Sequence, residues 1–317
     1  MAKPLTCSPE LLAKDLSGRV IVVTGANSGI GLISANQLAK QGATVVYACR
    51  RVGEAEKAMA ALKEEHPNVS VSARALDLGD LASVRAFAEG LLSEHDTLHG
   101  LLNNAGVMNT SADAKTKDGF EMQIGVNHLG HFLLTDLLLG ALKKGAPSRV
   151  VNVSSCFHDK AQGREGKIVV EDLHFDNRKY DGWEAYAQSK LANVLHAKEL
   201  AKRTQGSGVT AVSVHPGWVR TDLAKHTMPL FMQNYVLRPI FGLMGMIEPW
   251  QGAQTSLHAL LADDVSEHSG AFFSQTGMYR DKACNKGGWP LTSPNPNAHD
   301  EAMAKALWEK SEELVGA

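Results

Sequence analysis

Long hydrophobic runs are missing from this 317-residue chain. No segment reaches the ~18 consecutive apolar residues of a membrane-spanning helix. Met1 to Ser17, with Glu10, Lys14 and Asp15, lacks the apolar stretch of a secretory leader. The expectation is a cytoplasmic or organelle-soluble protein with no signal peptide or membrane anchor, for which peripheral membrane contact stays open. Cysteine is scarce. Cys7, Cys49, Cys156 and Cys284 show no C-x-x-C spacing, which removes the usual zinc and dithiol patterns and suits a reduced intracellular setting. An excess of one charge is lacking too, with 32 Lys and Arg against 34 Asp and Glu and a formal net charge of −2. The basic pairs Arg50–Arg51, Lys143–Lys144 and Lys202–Arg203 are short and scattered, so no nucleic-acid face is read. Of the 13 histidines, His128 and His131 stand three apart in a helical stretch and could face one ion. No third ligand accompanies them, and no metal site is assigned.

What is present is an ordinary globular composition, 44% hydrophobic and 21% charged, with enough apolar residues for a large core. Short apolar runs read as strands at 19–24, 44–49, 69–78, 98–102, 150–153, 210–215 and 271–274. Helical patterns lie between them: to Gln41 after the first strand, at 53–65, from the Asp80 cap through Leu92, along 118–144, from Tyr186 to about Arg203, and at 249–261. A last helix runs from about Ala298 to Leu314. Strands alternating with helices predict a parallel sheet with right-handed crossovers and helices on both faces, a doubly wound α/β Rossmann-type fold with seven strands. Neither a repeat nor a linker divides the chain. Residues 1–317 are therefore expected to form a single domain, with 1–17 as an amino-terminal extension and 276–317 as a tail carrying the last helix. The roughly thirty residues before Tyr186 are expected to be a surface insertion near the sheet's carboxyl edge.

The first strand runs into Gly25–Ala26–Asn27–Ser28–Gly29–Ile30–Gly31 and then a helix. Glycines there allow a tight turn and a close approach of pyrophosphate to backbone amides at the helix N-terminus. The spacing is G-x-x-x-G-x-G rather than the usual dinucleotide G-x-G-x-x-G. Arg50, at the end of the second strand and 19 positions after Gly31, stands where an NAD-binding unit carries an acid for the ribose hydroxyl. A guanidinium there suits the 2′-phosphate of NADP instead. Tyr186 and Lys190 lie one helical turn apart, so an ammonium can favour the phenolate of a side chain whose ordinary pKa is about 10. The glycine turn, Arg50, Asp77, Asn103, Ser155 and Pro216 all follow strands on one edge, where open parallel sheets bind ligands.

With Thr24-Gly25-x-x-x-Gly29-x-Gly31, Asn103-Asn104-Ala105-Gly106, Asn127, Ser155, Tyr186-x-x-x-Lys190 and Pro216-Gly217, the chain resembles the short-chain dehydrogenase/reductases over roughly residues 17–275. Cys49–Arg50, the stretch Gly119 to Phe132 and Ser213–Val214–His215–Pro216–Gly217 are similar to the NADP-linked retinol dehydrogenases within that superfamily. The resemblance implies hydride transfer between NADPH and a carbonyl carbon while Tyr186 protonates the oxygen, or the reverse. It implies that Lys190 lowers the phenol pKa and holds the nicotinamide ribose, that Ser155 bonds the developing alkoxide and that Asn127 holds a relay water. Ser154 is the rival for the serine role. For the cofactor it implies pyrophosphate on the backbone around Ser28–Ile30, adenine on Asp77 and Leu78, and packing by Asn104, Ala105 and Gly106. Asn27, Arg51, Val153, Pro216, Gly217 and Val219 join the cofactor set, and Thr221 contacts the carboxamide. Residues 222–248, rich in Met and Phe, resemble a lid over an apolar carbonyl or alcohol substrate such as retinal or retinol. Partners beyond that small molecule are expected to be at most a second copy of the chain, as monomer or homodimer. A sister group, the light-dependent protochlorophyllide reductases, is the alternative enzyme, and a non-catalytic NADP-binding regulator the alternative of another class.

Overall fold

Four aliphatic residues in succession before Thr24 suit a strand covered on both faces. The computed structural model describes residues 2–219 and 246–317. In it β1 (Val20–Thr24) lies between β2 (Thr44–Cys49) and β4 (Gly100–Asn103). Outside β2 is β3 (Ser70–Ala75), and beyond β4 follow β5 (Ser148–Val153), β6 (Val209–His215) and β7 (Phe272–Ser274). The order β3-β2-β1-β4-β5-β6-β7 is parallel at every pairing. Strand order reverses between β1 and β4, which opens a crevice beyond their carboxyl ends.

Alternate residues of each strand feed different layers, because side chains point to opposite faces with period two. Val23, Val45 and Tyr47 pack with Leu38 of α1 (Gly29–Lys40) and Leu257 of α6 (Pro249–Leu261). Val22 and Val46 face Val84 of α3 (Leu81–Glu94) and Leu133 of α4 (Gly130–Lys144). The helix α2 (Val52–Glu65) covers the β2–β3 edge through Ala55 and Leu62. On the second face α5 (Gly182–Arg203) packs beside α4, and α7 (Glu301–Val315) closes over both. Trp308 of α7 meets Phe132 edge-on, with ring centroids 4.8 Å apart. Leu5 and Cys7 bond Gln275 and Gln254, which fastens the amino-terminal segment to the same body.

All seven expected strands are present, and four local expectations need correction. The third strand stops at Ala75; Asp77 then turns away, its amide donating to Ser83 Oγ. The helix expected from Asp118 begins at Met122, because the buried Glu121 carboxylate accepts the amides of Gln123 and Ile124 as a cap. Its course is then broken by a π-turn at Gly125–Leu129 before α4 resumes. The helix expected to open at Tyr186 starts at Gly182, capped by Asp181, whose carboxylate accepts the amides of Trp183 and Glu184. The insertion before it is no mere surface loop: His158, Asp159, Leu173 and Phe175 are buried, and a short hairpin pairs Lys160–Ala161 with Arg164–Glu165. Thr221 and the expected lid, up to residue 245, lie outside the described residues.

Candidate active site

The carboxyl ends of β1 to β6 contribute to one cavity of about 690 Å³. At one end are the glycine turn and Arg50. Gly31, in the first turn of α1, has no room for a side chain, since a Cβ there would lie 2.6 Å from the Gly25 carbonyl oxygen and against Asn104 Nδ2. Ser28, at the α1 N-cap, makes no side-chain cap bond, so the first-turn amides remain open to an anion. Arg50 lines the cavity, is exposed, and carries no ion pair among the described residues. Arg51 beside it is paired with Glu54 at 3.0 Å, which in turn accepts from Asn27 Nδ2 at 2.9 Å. Of this neighbouring pair of arginines, Arg50 is the one left free for a phosphate. These features together fit the phosphates of a dinucleotide.

At the other end are Ser155, Tyr186 and Lys190. The cap at Asp181 sets the phase of α5, so that Tyr186 and Lys190 turn inward from consecutive turns. Each is only 4% exposed. The Lys190 ammonium sits 5.6 Å from the Tyr186 ring centroid and donates to the Val153 carbonyl at 3.1 Å. Burial pushes Lys190 down to about 8. The phenol of Tyr186 is pushed up by burial, with the Ser155 hydroxyl bond working against it.

The two serines separate. Ser154 is buried, and its hydroxyl donates to the Lys190 backbone carbonyl at 2.6 Å. Ser155 caps the short turn Cys156–His158, its oxygen accepting the Phe157 amide at 3.2 Å, and its hydroxyl reaches Tyr186 on the cavity side. Asn127 lies behind the cavity wall in the π-turn. Its Oδ1 accepts the Val107 amide at 2.8 Å, and its Nδ2 donates to the Val107 carbonyl and to Ser189 Oγ. A Cβ placed on Gly106 would lie 3.0 Å from Asn127 Oδ1 and 3.5 Å from Lys190 Nζ, so the two polar atoms face one small gap that glycine keeps open.

The remaining expected cofactor residues, from Asn27 and Ser28 through Asp77, Leu78 and Asn104 to Pro216, Gly217 and Val219, also reach the cavity. Gly31 and Asn127 support it from behind. Sequence reasoning passed over the wall beside Tyr186. Phe157 and Trp183 meet edge-on at 5.7 Å, and Phe157 meets Tyr186 at 6.1 Å. The spacing Trp183-x-x-Tyr186 was the available signal for Trp183; Met278, from the tail, had none. His128 and His131 do not converge on one point: His128 Nε2 bonds Ser311 Oγ and His131 Nε2 bonds Thr24 Oγ1. No group of three or more His, Cys, Asp or Glu is placed to hold a metal among the described residues.

Comparison with known proteins agrees with this geometry. Residues 19–165 match the short chain dehydrogenase family. Retinol dehydrogenase 12 of Bos taurus is 46% identical over 302 residues, which cover 95% of this chain and 88% of that protein. Retinol dehydrogenase 13 of Homo sapiens is 43% identical over 303 residues, 95% of this chain and 86% of its own. Among solved structures, an uncharacterized Mycobacterium paratuberculosis protein is 36% identical with a TM-score of 0.74, covering 96% of each chain. An Escherichia coli CFT073 protein described as a short chain dehydrogenase, complexed with NADPH, is 25% identical with a TM-score of 0.61, covering 83% of this chain and 98% of its own. No helix of the described residues is long and apolar enough to cross a membrane. With its nucleotide crevice, its Ser155–Tyr186–Lys190 wall and this likeness along nearly its whole length, the chain belongs to the short-chain dehydrogenase/reductase family of alcohol and carbonyl oxidoreductases, in the retinol dehydrogenase-like group.

Proposed function

We propose that this enzyme interconverts a carbonyl and an alcohol on an apolar, retinal- or retinol-like substrate with NADP(H), and that Tyr186 is its general acid and base. One observation carries the reading: Ser155, Tyr186 and Lys190 share a cavity with Arg50 and an uncapped helix N-terminus. When bound, NADP(H) supplies or takes up the hydride. Arg50 holds the 2′-phosphate, the glycine turn the pyrophosphate, and Asp77 and Leu78 the adenine. Thr221 is assigned the carboxamide and 222–248 the lid.

Ser155 donates its proton to the substrate oxygen and stabilises charge as it develops there, an oxyanion-type role. Tyr186 gives its phenolic proton to the same oxygen in reduction and takes it back in oxidation. The protonated phenol favoured by burial is the form reduction needs. Lys190, held by the Val153 carbonyl, stabilises the phenolate left behind, and a water held by Asn127 in the Gly106 gap hands a solvent proton through Lys190 back to Tyr186. Phe157, Trp183 and Met278 give the substrate end an apolar wall, which suits a long hydrocarbon.

The test incubates pure protein with NADPH or NADH and a panel of apolar aldehydes, all-trans-retinal among them, in darkness. NADPH oxidation with retinal, much faster than with NADH, is the expected result. Dark inactivity with light-dependent loss of protochlorophyllide would replace the substrate assignment. Inactivity in both assays would reduce the protein to a cofactor-binding regulator.

A further inference from the structure

Thr24 closes β1 at the root of the glycine turn. Its Oγ1 accepts the amides of Asn104 at 2.8 Å and Ala105 at 3.0 Å, so both lone pairs are taken and its one proton must be donated. Two acceptors are in reach, the Leu102 carbonyl at 3.3 Å and His131 Nε2 at 2.9 Å. The shorter bond makes Nε2 the acceptor and places the ring proton on Nδ1. Nδ1 lies 3.1 Å from the backbone carbonyl of Asn127 and donates to it. The ring is 1% exposed, and burial pushes its pKa down to about 4, so it stays neutral across the working range.

We propose that His131 is a positioning residue, a one-donor, one-acceptor strut that ties the Asn127 backbone to Thr24 so that Asn127 Oδ1 faces Lys190 across Gly106. The inference deepens the functional reading above and rests on it. Asn127 stands in a π-turn, whose i→i+5 bonding is rare and needs outside support. Its side chain is tied to Val107 and Ser189, and its carbonyl to His131. Thr24 simultaneously holds the backbone of Asn104 and Ala105, which line the cofactor end of the cavity. One imidazole thus joins the floor of the nucleotide crevice to the proton relay.

The experiment combines histidine-selective 15N NMR with kinetics. The resonance absent from His131→Gln identifies the ring, and the wild type is expected to show an Nδ1–H tautomer that does not titrate above pH 5. An Nε2–H tautomer, or titration near pH 6.5, overturns the proposal. His131→Phe is expected to lower kcat about 10- to 100-fold, as a displaced relay group should, with KM for NADPH changed less than about threefold. His131→Gln keeps one donor and one acceptor and should restore most of kcat. Unchanged kcat in His131→Phe overturns the proposal. So does equal loss in both variants with a lowered Tm, which marks a purely structural role. Absence of carbonyl turnover in the wild type would instead defeat the functional reading, while the tautomer would still report on the strut alone.

Discussion

The Ser154 hydroxyl donates to the backbone carbonyl of Lys190 across 2.6 Å, which commits the first serine of the pair to holding α5 against β5. Ser155, one residue on, turns its hydroxyl to Tyr186 on the cavity side. Ser154→Ala should therefore lower unfolding free energy by about 1 kcal/mol, the worth of one buried hydrogen bond, and leave kcat within a few-fold. Ser155→Ala should cost stability no more than the loss of its turn cap, about 1 kcal/mol, and cut kcat about 10²–10³-fold, as removal of an oxyanion donor does. Steady-state rates on the two variants separate them, with urea melts as the control for folding, and the larger kcat loss in Ser154→Ala would exchange the roles.

Gly106 keeps open the gap shared by Asn127 Oδ1 and Lys190 Nζ. Gly106→Ala should put a methyl where the proposed relay water would sit. The expected result is a kcat reduced at least about tenfold with NADPH affinity, read by fluorescence titration, little changed. A variant with wild-type kcat would show that no water is needed there.

Much of this was legible in the chain, because strand ends in a parallel sheet converge regardless of what lies between them. The apolar runs located β1 to β7 within a few residues, and the turns after β1 to β6 each supplied a candidate site residue. What escaped detection depended on side-chain capping. Asp181, with Glu184 three residues later, is a recognisable helix start, yet it sits among charged turns and its role shows only once its carboxylate accepts two amides. The π-turn at Asn127 was hidden because helical periodicity does not distinguish a four-residue from a five-residue step over so short a stretch. Spacing could not separate Ser154 from Ser155; the proposal for Ser155 is supported by the Ser154 hydroxyl being committed to the Lys190 carbonyl.

Arg50 carries no ion pair among the described residues, unlike Arg51, which Glu54 engages. Arg50→Ser should raise KM for NADPH by about 10- to 100-fold, the loss of one charge-assisted phosphate contact of roughly 1.5–3 kcal/mol, and leave KM for NADH nearly unchanged. Arg51→Ser should do much less. Equal losses with both nucleotides would remove the 2′-phosphate role from Arg50.

Burial brings Lys190 down to about 8 in the free enzyme. Above that pH the amine loses the charge that stabilises the phenolate, so kcat/KM for NADPH, which reports ionisations of free enzyme, should fall through a basic limb near pH 8. Lys190→Arg keeps its charge at every accessible pH. It should be slower and should lose that limb. A limb that persists unmoved in Lys190→Arg would belong to another group.

Histidines buried without charge make the fold sensitive to mild acid. Burial pushes His128 and His215 down to about 3, His131 and His158 to about 4, and His196 well below its ordinary value. The unfolded chain takes up these protons near pH 6.5 while the folded chain refuses them. Stability is therefore fully present above pH 6.5 and is lost as pH falls from there toward 4. Each histidine contributes a slope of up to about 1.4 kcal/mol per pH unit. Glu121 and Asp136, whose carboxyls burial pushes up, act in the opposite sense but are two against five. Urea midpoints at pH 7, 6 and 5 should drop steeply at each step. A flat profile over that range would mean that the histidine cluster admits protons, and with it water, in the folded state.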